Sequence, residues 1–207
     1  MDEEVSDIEP IAHYRLTFIA YWSAETHPLD FPANPHFSGL VGMVHNEETK
    51  LFYEGELASE GIKEMAEKGK KEPLEVEIEN LILNDTAIYL ISGNYLNHSP
   101  GEITHEFEAT TTHSLVSIVT MLAPSPDWFV SVCNVNLIEN GKWLEEKIVE
   151  LSVYDAGTDS GTTYISENQA AIPRESISKI VSPPLAIDGV VPLLGIVRFE
   201  KIHQVLQ

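Results

Sequence analysis

The sequence predicts an all-β fold, an antiparallel β-sandwich with one or two short helices. Three observations carry that expectation. Segments 86–93, 104–111, 115–122, 128–137 and 147–154 are each short, rich in β-branched or aromatic residues and bounded by turn signals, and such a density of strands makes a sandwich or a barrel. Near the start, Tyr14, Leu16, Phe18 and Trp22 share one parity while Arg15 and Thr17 take the other, the period of a half-buried strand. Only residues 56–70 carry a clear helical stripe, through Leu57, Ile62, Met65 and Ala66.

Taken in order, residues 1–12 read as a flexible acidic arm, with 5–11 able to add a strand to a sheet edge. Residues 13–207 form a single domain, within the size range of one sandwich core. The segment 26–35 holds three prolines, which donate no ladder hydrogen bond, so it is an irregular loop. The helix at 56–70 has Gly69 to end it and Lys68, Lys70 and Lys71 to complement its negative end. In 74–83 the alternation of Val76, Ile78 and Ile82 points to a strand while the glutamates favour a helix; the alternation is followed here. Asn140-Gly141 is a tight-turn signal, because both residues tolerate positive φ. Pro173, Pro183, Pro184 and Pro192 punctuate a long connection before a closing strand at 193–205.

Composition excludes several functions. With 12 basic against 33 acidic residues and a net charge of −21, the chain repels phosphate backbones, so nucleic acid is not a partner. No apolar run approaches the roughly 18 residues of a membrane helix. Cys133 stands alone, so no internal disulfide forms and the residue is expected to act as a small buried hydrophobe. The start, Met1-Asp2-Glu3-Glu4-Val5, lacks the basic and apolar regions of a signal peptide, which fits a cytosolic chain or a secreted one already trimmed.

Two loops could carry chemistry. Asp155-Ala156-Gly157-Thr158-Asp159-Ser160-Gly161 sets two carboxylates four apart with a glycine two residues beyond each. Hard oxygens on a sharply turning backbone suit calcium, and the same residues also make metal-free turns in which Asp bonds nearby amides. In Pro124-Ser125-Pro126-Asp127-Trp128 two prolines stiffen the backbone before Asp127. Enzyme chemistry finds no such support. The pairs His36/His45 and His105/His113 lack metal-ligand spacing, and no Gly-x-Ser-x-Gly elbow accompanies Ser114, His113 and Asp127. His36 and His113 are expected to hydrogen-bond buried backbone or cap strand ends.

Several longer strings occur together in order. They are Tyr14-Arg15-Leu16-Thr17-Phe18 with Trp22, Phe31-Pro32, His36-Phe37-Ser38, Ala58-Ser59-Glu60-Gly61 with Ala66-Glu67-Lys68-Gly69, His113-Ser114-Leu115-Val116-Ser117, Met121 through Val130, and Asp155 through Gly161. This set resembles the spondin domain, the N-terminal module of the F-spondin and mindin family, from about Tyr14 to Ile177. The resemblance implies a calcium-binding sandwich similar to C2 domains, non-catalytic, in extracellular or cell-surface proteins of recognition and adhesion. It assigns the ion to Glu108, Asp127 and Asp155, and the loop spacing offers Asp159 as an additional residue. The partner is expected to be a protein, glycan or surface polymer. The alternative is a structural protein that assembles with its own copies through sheet edges, supported by calcium. Two departures stand out: Ser131-Val132-Cys133-Asn134 follows Val130 where animal members carry an aspartate loop, and the paired cysteines are missing. With no thrombospondin-type repeat in the sequence, a stand-alone microbial version is expected.

Overall fold

The structure is a computed structural model of the 207-residue chain and describes residues 8–203. The first strand, β1 (Ile11–Ala20), buries Tyr14, Leu16, Phe18 and Ala20, as the alternation requires. It begins two residues before the expected domain start. Glu9 and Pro10 are also tied down, their carbonyls accepting Trp143 Nε1 at 2.7 Å and the Thr111 amide at 3.1 Å. Residues 1–7, most of the expected arm and part of its expected edge strand, lie outside the described residues.

After the proline loop come β2 (His36–Phe37) and β3 (Val41–His45), then α1 (Glu60–Lys68) and α2 (Glu72–Leu83). The remaining strands are β4 (Ala87–Ser92), β5 (Gly101–Thr110), β6 (Leu115–Ala123), β7 (Trp128–Asn136), β8 (Ile138–Glu139), β9 (Lys142–Trp143), β10 (Glu146–Glu150), β11 (Ser152–Asp155), β12 (Ser178–Lys179) and β13 (Gly195–Ile202). One sheet runs β10-β13-β1-β5; the other runs β12-β11-β7-β6-β3-β4, with β2 also on β6. All pairings between these strands are antiparallel, which makes the molecule an all-β sandwich.

The two sheets enclose one core, where Tyr14, Leu16, Phe18, Phe107, Val197 and Phe199 meet Val116, Ile118, Val130 and Val132. A second core lies on the other face of the larger sheet. There Ile62, Met65, Ala66, Leu74 and Ile78 of the helices cover Val41, Met43, Val119, Met121 and Phe129. The larger sheet is therefore covered on both sides, and β3 is buried at all five positions. Strands buried on both faces read as continuous apolar runs.

Residues 74–83 are helical, correcting the strand expectation. Pro73 occupies the first helical turn, where its missing N–H costs nothing. The buried contacts are Leu74 and Ile78, four apart, with Leu81 and Ile82 packed beside them, whereas Val76 is half-exposed. The alternation followed at first is thus incidental to a stripe of period 3.6. Glu77 of α2 also closes the start of α1, accepting the Gly61 amide and the Ser59 hydroxyl, both at 2.7 Å. Gly69 ends α1 at φ 65, as expected.

Segment 147–154 holds two strands in different sheets. The break is Leu151, whose amide bonds Gly195 O at 3.0 Å, so the chain changes layer there, as at a sandwich corner. Asn140 and Gly141 take φ 52 and 72 in the β8–β9 hairpin, the turn foreseen. Cys133 is exposed, against expectation. A bulge opposes Val116 to Val135 and Ile118 to Val132, leaving Cys133 and Asn134 together across from Ser117, with Asn134 at φ 53. The closing strand stops at Ile202, and residues 204–207 are not among those described.

Candidate metal centre

The turn between β6 and β7 carries Asp127 into the interior, where it is fully buried. Its rigidity is local: the Ser125 hydroxyl accepts the Trp128 amide at 3.0 Å, and prolines flank Ser125. Asp127 Oδ2 accepts the Thr158 amide at 2.7 Å, the Thr158 hydroxyl at 3.1 Å and the Asp159 amide at 3.0 Å. Its other oxygen, Oδ1, is buried and has no hydrogen-bond partner. An oxygen so placed loses its hydration with no return, and such groups are rare.

Asp155 closes β11 directly across from Trp128, which sets it beside the Asp127 turn. Its Oδ1 accepts the Gly157 amide at 2.7 Å. Asp159 is almost fully buried; its Oδ1 accepts the Gly161 amide and its Oδ2 the Gln169 amide, both at 2.8 Å. The bonds to Gly157 and Gly161 are the Asx turns foreseen as the metal-free use of the motif. Both glycines are sterically required. Gly157 sits at φ 70 with the Glu175 carbonyl 2.3 Å from where a Cβ would lie, and a Cβ on Gly161 would come within 2.7 Å of the Pro126 ring. The second contact locks the two loops together.

The site is electrostatically uncomfortable without a cation. Burial, then the neighbouring Asp155 charge, raise the Asp127 pKa to about 6, against the pull of the Thr158 and Asp159 donors. Burial raises Asp155 as well, opposed by the Gly157 amide, and Glu175 and Asp159 add like charge. Glu175 had no sequence signal, because only the Gly157–Glu175 backbone bond at 2.8 Å brings it near.

Glu108 is not brought to this site. It lies on the exposed face of β5, directly opposite His13 of β1, whose Nδ1 is 3.4 Å from its carboxylate. The turn after Glu108 leads into the first residue of β6, while Asp127 follows the last. Those nine residues span about 27 Å at ~3.4 Å per residue, so the two carboxylates belong to opposite ends of the sandwich. Among the described residues, no three His, Cys, Asp or Glu side chains are already gathered in ion-holding geometry. The fit for a cation rests instead on the unpartnered Asp127 Oδ1 and the like charges around it.

His36 and His113 bond backbone, as expected, His36 through Asn34 O at 2.9 Å, whereas His105 Nε2 is buried without a partner. His113 bonds Asp85 O at 2.9 Å and Thr112 Oγ1 at 3.0 Å; His45 bonds Asn46 O at 2.7 Å and Ser117 Oγ at 2.9 Å. Ser114 donates to Asn136 Oδ1 at 2.9 Å rather than to a histidine.

The Spondin_N family matches residues 12–186. Spondin-2 of Rattus norvegicus is 34% identical over 184 residues, covering 87% of this chain and 56% of that protein. Spondin-2 of Homo sapiens is 33% identical over the same length, and Spondin-1 of Rattus norvegicus is 36% identical over 177 residues, 83% of this chain and 22% of that protein. The chain thus spans about half of the Spondin-2 proteins and about a fifth of Spondin-1.

Proposed function

The chain belongs to the spondin N-terminal domain family, and on that premise we propose that it is a non-catalytic recognition module of extracellular or cell-surface proteins, holding one calcium ion at the Asp127 end of the sandwich. The observation that carries the ion is Asp127 Oδ1, a buried carboxylate oxygen without a partner. Asp127, Asp155 and Asp159 supply the carboxylates, and carbonyls or water complete the 6–8 oxygens calcium takes. These ligands are hard oxygens, with no thiol or imidazole among them to favour a softer metal.

An ion of charge +2 offsets the repulsion that raises the Asp127 and Asp155 pKa values, and it ties the β6–β7 turn to the loop after β11 in the folded state only. The recognition surface is then the set of loops around this end. Supporting a non-catalytic role, the Ser117 hydroxyl bonded to His45 is fully buried with it, out of reach of a substrate, while His113 bonds a backbone carbonyl and Ser114 an asparagine.

Thermal unfolding of EDTA-treated protein, titrated with calcium and separately with magnesium, tests the ion. A ligand of the native state alone adds about 2.7 kcal/mol at a hundredfold excess over its Kd. Calcium should raise the transition of the wild type and leave Asp127→Asn unmoved. Equal melting with and without calcium sinks the ion.

A further inference from the structure

A second site lies beside the aspartate loop. The proline loop and the segment that follows Asp159 face each other across a cleft of about 690 Å3, lined by Pro28, Asp30, Phe31, Pro32, Tyr164 and Ile165 among others. That volume is in the range of built ligand sites, which are apolar with a few polar groups. Its walls are rigid from behind: Trp22 touches Phe31 and Tyr164, with ring centroids 5.4 and 5.6 Å apart, and Trp128 touches Tyr164 at 5.5 Å. Trp22 Nε1 and Tyr164 OH are buried there facing only each other, so the back wall of the cleft offers polar groups that no other part of the chain engages. At the mouth, Ile165 stands 83% exposed, a large aliphatic side chain held in water.

The charge pattern says what fits. Asp30 is the charged residue of the lining, and the wall segments 21–35 and 160–173 add Glu25 and Glu167 and contain no Lys or Arg. We propose that this cleft binds an extended peptide segment of a partner protein, seating an aliphatic, proline or aromatic side chain between the proline loop and Ile165 while a neighbouring Lys or Arg meets Asp30. Prolines and aromatic rings make the walls on which such segments dock, and charge complementarity selects the basic ones. The inference rests on the reading of the chain as a recognition module, and it does not require the ion.

The test is selection of a random octapeptide display library on the immobilised protein in calcium buffer, followed by affinity measurement with the enriched peptides. Enriched sequences should pair Lys or Arg with a large apolar neighbour. Ile165→Ser and Asp30→Asn should each weaken them at least tenfold, while Leu83→Ser, exposed at the end of α2, should leave them unchanged. Asn suits position 30 because the backbone there has φ 49. Enrichment of peptides without basic residues, or equal binding by wild type and both variants, overturns the proposal. So does capture of neutral oligosaccharides, lost in Ile165→Ser, when no peptide is enriched. The melting shift with calcium, measured on the same variants, reports on the ion separately.

Discussion

Asp127 and Thr158 are joined twice, the Oδ2 of the aspartate accepting both the amide of the threonine at 2.7 Å and its hydroxyl at 3.1 Å. The pair staples the β6–β7 turn to the loop after β11. A third donor, the Asp159 amide, shares the same oxygen, so one carboxylate organises the end of the sandwich whether or not an ion is bound.

Removing that acceptor strands three donors in the interior. Asp127→Ala in EDTA should therefore lose on the order of 2–4 kcal/mol in urea unfolding. Asp127→Asn keeps an acceptor and sheds the buried charge, and should lose less than half as much. A larger loss in the Asn variant than in the Ala variant would contradict the account.

Calcium binding should weaken in acid. An ion needs Asp127 ionised, and the metal-free pKa of about 6 means that the apparent affinity falls about tenfold for each pH unit below that value, read by calorimetric titration from pH 7 to pH 4.5. Stability without calcium takes the opposite sign. Because the folded pKa lies above the ordinary 3.8, the contribution of Asp127 is full below pH 3.8 and is lost as pH rises through about 6. Its size is about 3 kcal/mol, and Asp127→Asn should lack it.

Glu108→Ala should leave the calcium response untouched, because β6 separates it from Asp127. Its pairing with His13 is solvent-exposed, so the stability change should stay below about 1 kcal/mol. Loss of the calcium shift in this variant would place Glu108 at the ion after all.

His45 is fully buried, and burial lowers its pKa from the ordinary 6.5 against its Asn46 bond. Its neutral form is the folded one, so its contribution is present above pH 6.5 and is lost as pH falls through the depressed folded value. His45→Gln should destabilise most at pH 8, and its deficit against the wild type should narrow as the pH drops below 6.5. A deficit that widens in acid would reverse the assignment.

Glu77→Ala should loosen α1 without touching the sheets, since its carboxylate accepts the Gly61 amide and the Ser59 hydroxyl. The expected cost is ~1 kcal/mol, that of a lost helix cap, with a small fall in helical circular dichroism and an unchanged calcium response.

The readings that held were local ones. The alternation of β1, the Gly69 stop of α1 and the Asn140-Gly141 hairpin each depend on a few neighbouring residues whose backbone preferences act at short range. The helix at 72–83 was misread because Val76, Ile78 and Ile82 imitate period 2, and only packing against β3 and β4 shows that Leu74 and Ile78 are the buried pair. Cys133 was misplaced because a bulge shifts parity, which no local pattern announces.

The sequence by itself determined the sandwich class and the strands that face its core, because these follow from periodicity, turn chemistry and the order of the family's strings. Tertiary structure alone decided which carboxylates share a site. Glu108 and Asp127 are 19 residues apart in the chain and at opposite ends of a nine-residue strand, whereas Asp127 and Thr158 are 31 apart and in contact. Sheet register sets those distances, through pairings between strands remote in sequence, and no spacing of letters along the chain contains them.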